Sequence, residues 1–221
     1  MRAVSLPNHA GLKAAVEQRD RDISTKRFYE TSATGYAEAT LRLSMKESID
    51  SFVTRLNPGD SVVDLGCGAG RDLKAFADRG FMPVGLDVSE NLAKIAHEYS
   101  AQPVVVGDLR KLPFASNSFS AGWASASLLH LSRDDAGLAL GEIRRVLTAG
   151  GILFSSVKHG QGERADAQGR WFSYYGSVEW QCLLEAHGFA VIELHTSVQQ
   201  VGTVSVHESA RWLNTISRNT R

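Results

Sequence analysis

From residue 61 onward, short apolar runs alternate with amphipathic stretches. Ser61 to Leu65, Met82 to Leu86, Pro103 to Val106, Phe119 to Ala124 and Gly151 to Val157 read as buried strands. Stretches with apolar side chains three and four apart lie between them. These predict helices near Arg71 to Arg79, Glu90 to Tyr99, Asp134 to Leu147 and Val178 to Gly188. Ala190 to Thr196 reads as a sixth strand and Ala210 to Ser217 as a seventh, although the latter also has helix propensity. Strands alternating with helices predict an α/β fold, a Rossmann-like three-layer sandwich. Its mostly parallel seven-stranded sheet would carry helices on both faces. Right-handed crossovers then bring the C-terminal ends of the parallel strands to one rim, where ligands of such sheets bind.

Ahead of that rhythm, Leu12 to Ile23 is charged and helix-compatible, and predicts a surface helix with a mobile start. Tyr36 to Leu56 carries Leu41, Met45, Ile49, Phe52, Val53 and Leu56 at helical spacing and predicts one amphipathic helix. Asn57-Pro58-Gly59-Asp60 stops it. The expected division is a helical cover or lid over residues 1–35 and one domain over 36–221, a size that suits a single core.

Composition narrows the functional classes. Lys plus Arg number 24 and Asp plus Glu 24, which argues against a sequence-independent grip on nucleic acid or an anionic membrane. No apolar stretch approaches the roughly 20 residues of a membrane span. Met1 to Gly11 lacks an apolar core of signal-peptide length. Cys67 and Cys182 form neither a disulfide framework nor a metal-ligand spacing, so no metal and a reduced, cytoplasmic setting are expected.

The chemistry is concentrated after the first strand, in Asp64-Leu65-Gly66-Cys67-Gly68-Ala69-Gly70-Arg71-Asp72. Three alternate glycines free the backbone to bend and to approach a ligand, at the start of a helix. Asp87 ends the next strand, about 20 residues on, where a carboxylate accepts from ribose hydroxyls. A dinucleotide fold wants Gly-x-Gly-x-x-Gly, but Arg71 takes the place of the last glycine. Asp64 ahead of the loop would repel a pyrophosphate and suit a cationic amine and sulfonium, directly or through water. That choice favours S-adenosylmethionine over a nicotinamide dinucleotide, the cofactor of an oxidoreductase.

These residues resemble the class I S-adenosylmethionine-dependent methyltransferases. The similarity covers Val63 to Gly70, Val84 to Ser89, Gly107 to Phe114 and Glu142 to Gly151, four ordered motifs in a chain similar from about Tyr29 onward. The resemblance implies that the loop of Gly66, Cys67 and Gly68 lines the methionine part of the cofactor and that Asp87 holds its ribose. It also implies that Asp108 accepts from the adenine amino group, that Val88 and Leu109 sandwich the ring, and that Ala124 and Ser125 lie near the sulfonium. An aromatic at the position of Tyr36 closes the site in some relatives. The segment Ala124 to His130 is not the Asn/Asp-Pro-Pro-Tyr motif of many nucleobase methylases, which shifts weight toward a small-molecule acceptor methylated on oxygen or nitrogen. Alternatives are a non-catalytic S-adenosylmethionine-binding partner protein and a nucleic-acid or protein methyltransferase.

For the acceptor side, His130 after the fourth strand and His159 after the fifth are candidate general bases, since imidazole titrates near neutrality. His130, flanked by Leu129 and Leu131, reads more readily as a structural residue that holds loop backbone. Lys158, Glu163, Tyr174 and Tyr175 are candidate substrate contacts. The polar stretch Arg164 to Arg170 and the aromatics Trp171 to Tyr175 read either as a lid or as a solvated loop anchored in the core. Arg71 reads either as a contact to the cofactor carboxylate or as a surface residue. Arg110 and Lys111 read as a solvated turn. Nothing in the sequence sets the oligomeric state.

Overall fold

The computed structural model describes residues 9–199 and 210–221. The predicted strands are β1 (Ser61–Leu65), β2 (Met82–Asp87), β3 (Val104–Val106), β4 (Phe119–Ser125) and β5 (Leu147–His159). They form a parallel sheet in the spatial order β3-β2-β1-β4-β5. The strands β8 (Phe189–Gln199) and β9 (Ala210–Asn219) join it, in a sheet of nine strands among the described residues: β9 runs antiparallel to β5 over Ile152–Lys158, and β8 pairs with β9. The expected seven strands are therefore present, and Ala210 onward is strand despite its helix propensity. Its Leu213 and Ile216 are buried in the sheet, so tertiary packing decides.

The helices α4 (Arg71–Ala77), α5 (Glu90–Ser100), α6 (Arg133–Val146) and α7 (Ser177–Ala186) fall where the periodicity places them. In α6, Ala136, Ala139, Leu140, Ile143 and Val146 form one buried stripe. Ser132 caps its start by accepting from the Asp135 N–H, and Asp134 and Asp135 favour the positive end of its dipole. Val62, Val63 and Leu65 of β1 are all buried because the sheet is covered on both faces. On one face Phe52, Phe76, Trp123 and Phe154 pack together, with Trp123 stacked on Phe154 at a centroid distance of 3.9 Å. The Trp123 indole N–H donates to Asp72 at 2.8 Å, so a buried carboxylate and a buried indole satisfy each other.

Three expectations are corrected. The single helix over Tyr36 to Leu56 is two, α2 (Ala33–Thr40) and α3 (Lys46–Val53), separated at Leu41 to Met45. Their apolar residues serve different surfaces. Ile49 and Phe52 of α3 pack into the Trp123 cluster, whereas α2 lies against the first helix and α5, so one straight axis cannot bury both. The helix expected over Leu12 to Ile23 is longer, α1 (His9–Thr31); the mobile start expected before it falls largely on residues outside those described. The stretch after β5 is neither lid nor solvated loop but a hairpin, β6 (Glu163–Ala165) with β7 (Trp171–Tyr175), extending the sheet beside Lys158 and His159.

That hairpin clamps α1. Ser24 donates to the Gly169 carbonyl at 2.8 Å, the Trp171 N–H donates to Thr25 at 2.9 Å, and the Arg21 guanidinium lies 4.0 Å over the Trp171 ring. Among the described residues no helix is long and apolar enough to cross a membrane.

Trp123→Phe removes the bond to Asp72 and part of the stack. It should destabilise the protein by about 1–3 kcal/mol, read as a lower urea midpoint with an unchanged slope. The exposed change Ile192→Ser should stay within about 0.5 kcal/mol.

Candidate functional site

The turn after β1 is shaped by close approach. Gly66 has φ +83°, and a Cβ there would stand 2.5 Å from that of Ser127, in the loop after β4. Gly70 has φ +85° and opens α4, where a Cβ would meet the Ala96 backbone at 2.8 Å. Any side chain at either position would push the turn away from its neighbours. Asp87 at the end of β2 locks the turn to the next strand. Its carboxylate accepts from the Gly68 N–H and the Ser89 N–H, both at 2.9 Å. Burial raises the Asp87 carboxyl above its ordinary value, and these N–H donors oppose that. Each oxygen keeps lone-pair capacity toward the open side.

The rim beside this turn holds a cavity of about 430 Å³. Tyr36, Gly66, Gly68, Asp87, Val88, Asp108, Leu109 and Ser125 line it, so the structure brings these expected positions to one place. Ala126, which also lines it, has φ +55°, a left-handed conformation rare outside glycine. Its N–H is held by Ser156 of β5 at 2.9 Å.

Three positions expected in the site do not line the cavity. Ala124 is fully buried within β4. Cys67 is buried with its sulfur toward Gly85, and burial pushes its thiol well up, as fits an inert loop residue. Asp64 is buried within β1. Burial, reinforced by the charge of Asp72, raises its carboxyl well above the usual range, against the pull of Arg71. Arg71, which the sequence left as either a cofactor contact or a surface residue, is largely shielded and paired with Asp72 at 2.6 Å.

α1 supplies the roof. Asp22, Ile23, Thr25, Lys26 and Tyr29 line the cavity, and none of them stood out in the sequence. The phenol of Tyr29 meets His130 Nε2 at 2.7 Å, while His130 Nδ1 lies 2.7 Å from the Trp171 carbonyl. A carbonyl only accepts, so Nδ1 carries the proton and Nε2 accepts from Tyr29. Burial pulls the imidazole down to about 4, partly opposed by the Trp171 carbonyl, and keeps it neutral. His130 thus lines the cavity but has both nitrogens engaged, in a chain that joins α1, the β4 loop and the hairpin.

The remaining acceptor-side candidates lie outside the cavity lining. The Lys158 ammonium sits 3.6 Å over the Phe172 ring, and His159 ends β5 opposite Tyr175. Glu163 accepts from Ser173 at 2.8 Å and pairs with Arg133 at 3.4 Å. The Tyr174 ring carries the Arg164 guanidinium at 3.6 Å, and Tyr175 is fully buried against Trp180. These residues join the hairpin to β5, α6 and α7, and Lys158 reaches the His130 wall only through the Phe172 ring. One polar atom of the lining lacks a partner: the Ser127 hydroxyl is buried without a hydrogen bond at the edge of the cavity beside Gly66. A ligand with a polar group at the glycine turn fits it, and a diol fits the open side of Asp87.

Residues 63–155 match the family model described as a methyltransferase domain. The chain is 32% identical over 149 residues to a demethylmenaquinone methyltransferase of Corynebacterium kroppenstedtii, covering 64% of this chain and 62% of that one. It is 31% identical over 164 residues to a sterol 24-C-methyltransferase of Gibberella zeae, covering 62% and 42%. The chain therefore spans less than two thirds of either relative's length. The fold is also that of the Burkholderia thailandensis 1,6-didemethyltoxoflavin-N1-methyltransferase, solved with bound 1,6-didemethyltoxoflavin and S-adenosylhomocysteine: TM-score 0.70 at 21% identity, covering 100% of this chain and 94% of that one.

His130 titrates near 6.5 in an unfolded chain and at about 4 when folded, so the unfolded state takes up the proton first. Its contribution is whole above pH 6.5, shrinks as the pH falls and is gone near pH 4. Between pH 7 and 4 the wild type should lose up to about 3 kcal/mol more stability than His130→Asn, measured by urea unfolding. Equal losses would mean that the folded imidazole is not held neutral.

Proposed function

We propose that the chain, whose residues 63–155 match the methyltransferase domain model, is an S-adenosylmethionine-dependent methyltransferase acting on a small-molecule acceptor, with residues 1–35 as cover over a domain of 36–221 and a cytoplasmic setting. The observation that carries this reading is Asp87, a buried carboxylate tied to the glycine turn by the Gly68 N–H and open to the cavity. Its remaining lone pairs suit the two ribose hydroxyls. Val88 and Leu109 flank the place for the base, Asp108 accepts from its amino group, and Tyr36 closes over Gly68.

The cofactor would supply a methyl group on a positive sulfur, open to in-line displacement; the protein supplies placement and exclusion of water. The roof of α1 performs the exclusion. His130 is neutral and hydrogen-bonded on both sides, which suits a positioning role better than proton removal. That favours an acceptor whose lone pair is ready, a nitrogen or an already ionised oxygen. Carbon, the atom named for the sterol relative, would need its electrons released by a base or a double bond. The cavity is lined by both charge signs, with Asp22, Asp87 and Asp108 against Lys26 and Arg110, which supports a small acceptor over a nucleic-acid backbone.

Calorimetry with S-adenosylhomocysteine tests the reading. The wild type should bind it and bind NADH far more weakly, and Asp87→Ala should weaken binding about 10- to 150-fold, the loss of about 1.5–3 kcal/mol for a charge-assisted bond. Tighter NADH binding would overturn the proposal. Mass gain of one methyl group in a panel of amine and phenol acceptors separates an enzyme from a partner protein that merely holds the cofactor.

A further inference from the structure

We infer that Arg110 is a positioning residue that serves both the seating of the α1 cover, through Asp22, and recognition of the nucleoside base, through Asp108, an inference that rests on the adenosine reading of the cavity. Arg110 lies in the loop after β3, where the sequence suggests no more than a solvated turn. In the structure it is the hub of three carboxylates from three elements. Its Nε and Nη2 grip Asp108 at 3.0 and 2.6 Å, and its backbone N–H donates to the same carboxylate at 2.9 Å. Its Nη1 reaches Asp22 of α1 at 2.5 Å and Asp135 at the start of α6 at 3.1 Å. The Gln18 amide of α1 closes the ring by bonding Asp22 and Asp135, both at 3.0 Å.

A single exposed ion pair would contribute little. Here one planar fork serves three acids, each partly shielded, a task the point charge of lysine does poorly. Without the guanidinium, Asp22, Asp108 and Asp135 would face one another as like charges, and the cheapest relief is for α1 to lift. Asp108 is also the group placed to accept from the base. Burial acts to raise its carboxyl, but the hydrogen bonds and charge of Arg110 hold it below the usual value, so it stays an acceptor with a fixed direction. Asp22, Asp108 and Arg110 all line the cavity, so cover and base site share one wall.

The test pairs two readouts on the full chain: hydrogen exchange of the α1 backbone with and without S-adenosylhomocysteine, and the ratio of affinities for S-adenosylhomocysteine and its 6-oxo analogue S-inosylhomocysteine. In the wild type the ligand should slow exchange in α1, and the amino form should be preferred. Arg110→Ala should lose the added protection and reduce the preference about tenfold; Arg110→Lys should recover part of each. Asp22→Asn should lose the protection and keep the preference, which separates the two arms and serves if Arg110→Ala fails to fold. Wild-type protection together with wild-type preference in Arg110→Ala, or unchanged protection in Asp22→Asn, would overturn the inference. Absence of S-adenosylhomocysteine binding by the wild type would instead sink the site reading on which it rests.

Discussion

The bond from the Gly68 N–H to the Asp87 carboxylate is the constraint around which the site is arranged. A carboxylate at a buried sheet rim is tolerated only where donors surround it. The glycine turn provides one donor and the start of α5 another, so two crossover connections converge on one charged group. The turn can come so close because Gly66 has no side chain to strike Ser127. The same contact therefore fixes the turn, aligns β1 with β2 at their ends, and leaves a carboxylate edge facing the cavity.

Around that fixed floor the structure builds its roof from segments far away in the chain. Tyr29, His130 and the Trp171 carbonyl form one line of hydrogen bonds through α1, the loop after β4 and the hairpin. Rings reinforce it: Tyr29 meets Tyr36 edge-on at 5.1 Å and His130 lies 4.8 Å from Phe172. The imidazole is buried in a polar chain that gives each nitrogen a partner, which is the condition for a neutral histidine in an apolar wall.

The floor was legible in the sequence because it depends on local rules. Glycines that admit positive φ, an acid at a strand end, and the switch between two-residue and 3.6-residue periods all act over a few residues. The roof was not, because its meaning lies in long-range pairing. Thr25 and Tyr29 look like ordinary helix residues until β7 is beside them, and Arg110 looks solvated until Asp22 and Asp135 arrive from elsewhere. The hairpin was the decisive miss. A signal was there: Asp166 to Gly169 has turn chemistry, and Trp171 to Tyr175 is rich in strand-forming aromatics. That strand pairs Lys158 with Tyr174 and His159 with Tyr175 in the sheet, outside the cavity lining. The break between α2 and α3 was hidden for a related reason, since one helical spacing can describe two short helices that face different neighbours.

The Arg21 guanidinium resting on Trp171 gives the molecule a built-in optical reporter. A cation over an indole shifts its emission, and Trp123 and Trp180 are fully buried elsewhere in the core. Movement of the first helix away from the hairpin would strip the charge from Trp171 and leave Trp123, Trp180 and the β9 residue Trp212 without that change. The posture of the roof can thus be followed by light, on the millisecond scale of lid motions, without attaching any label.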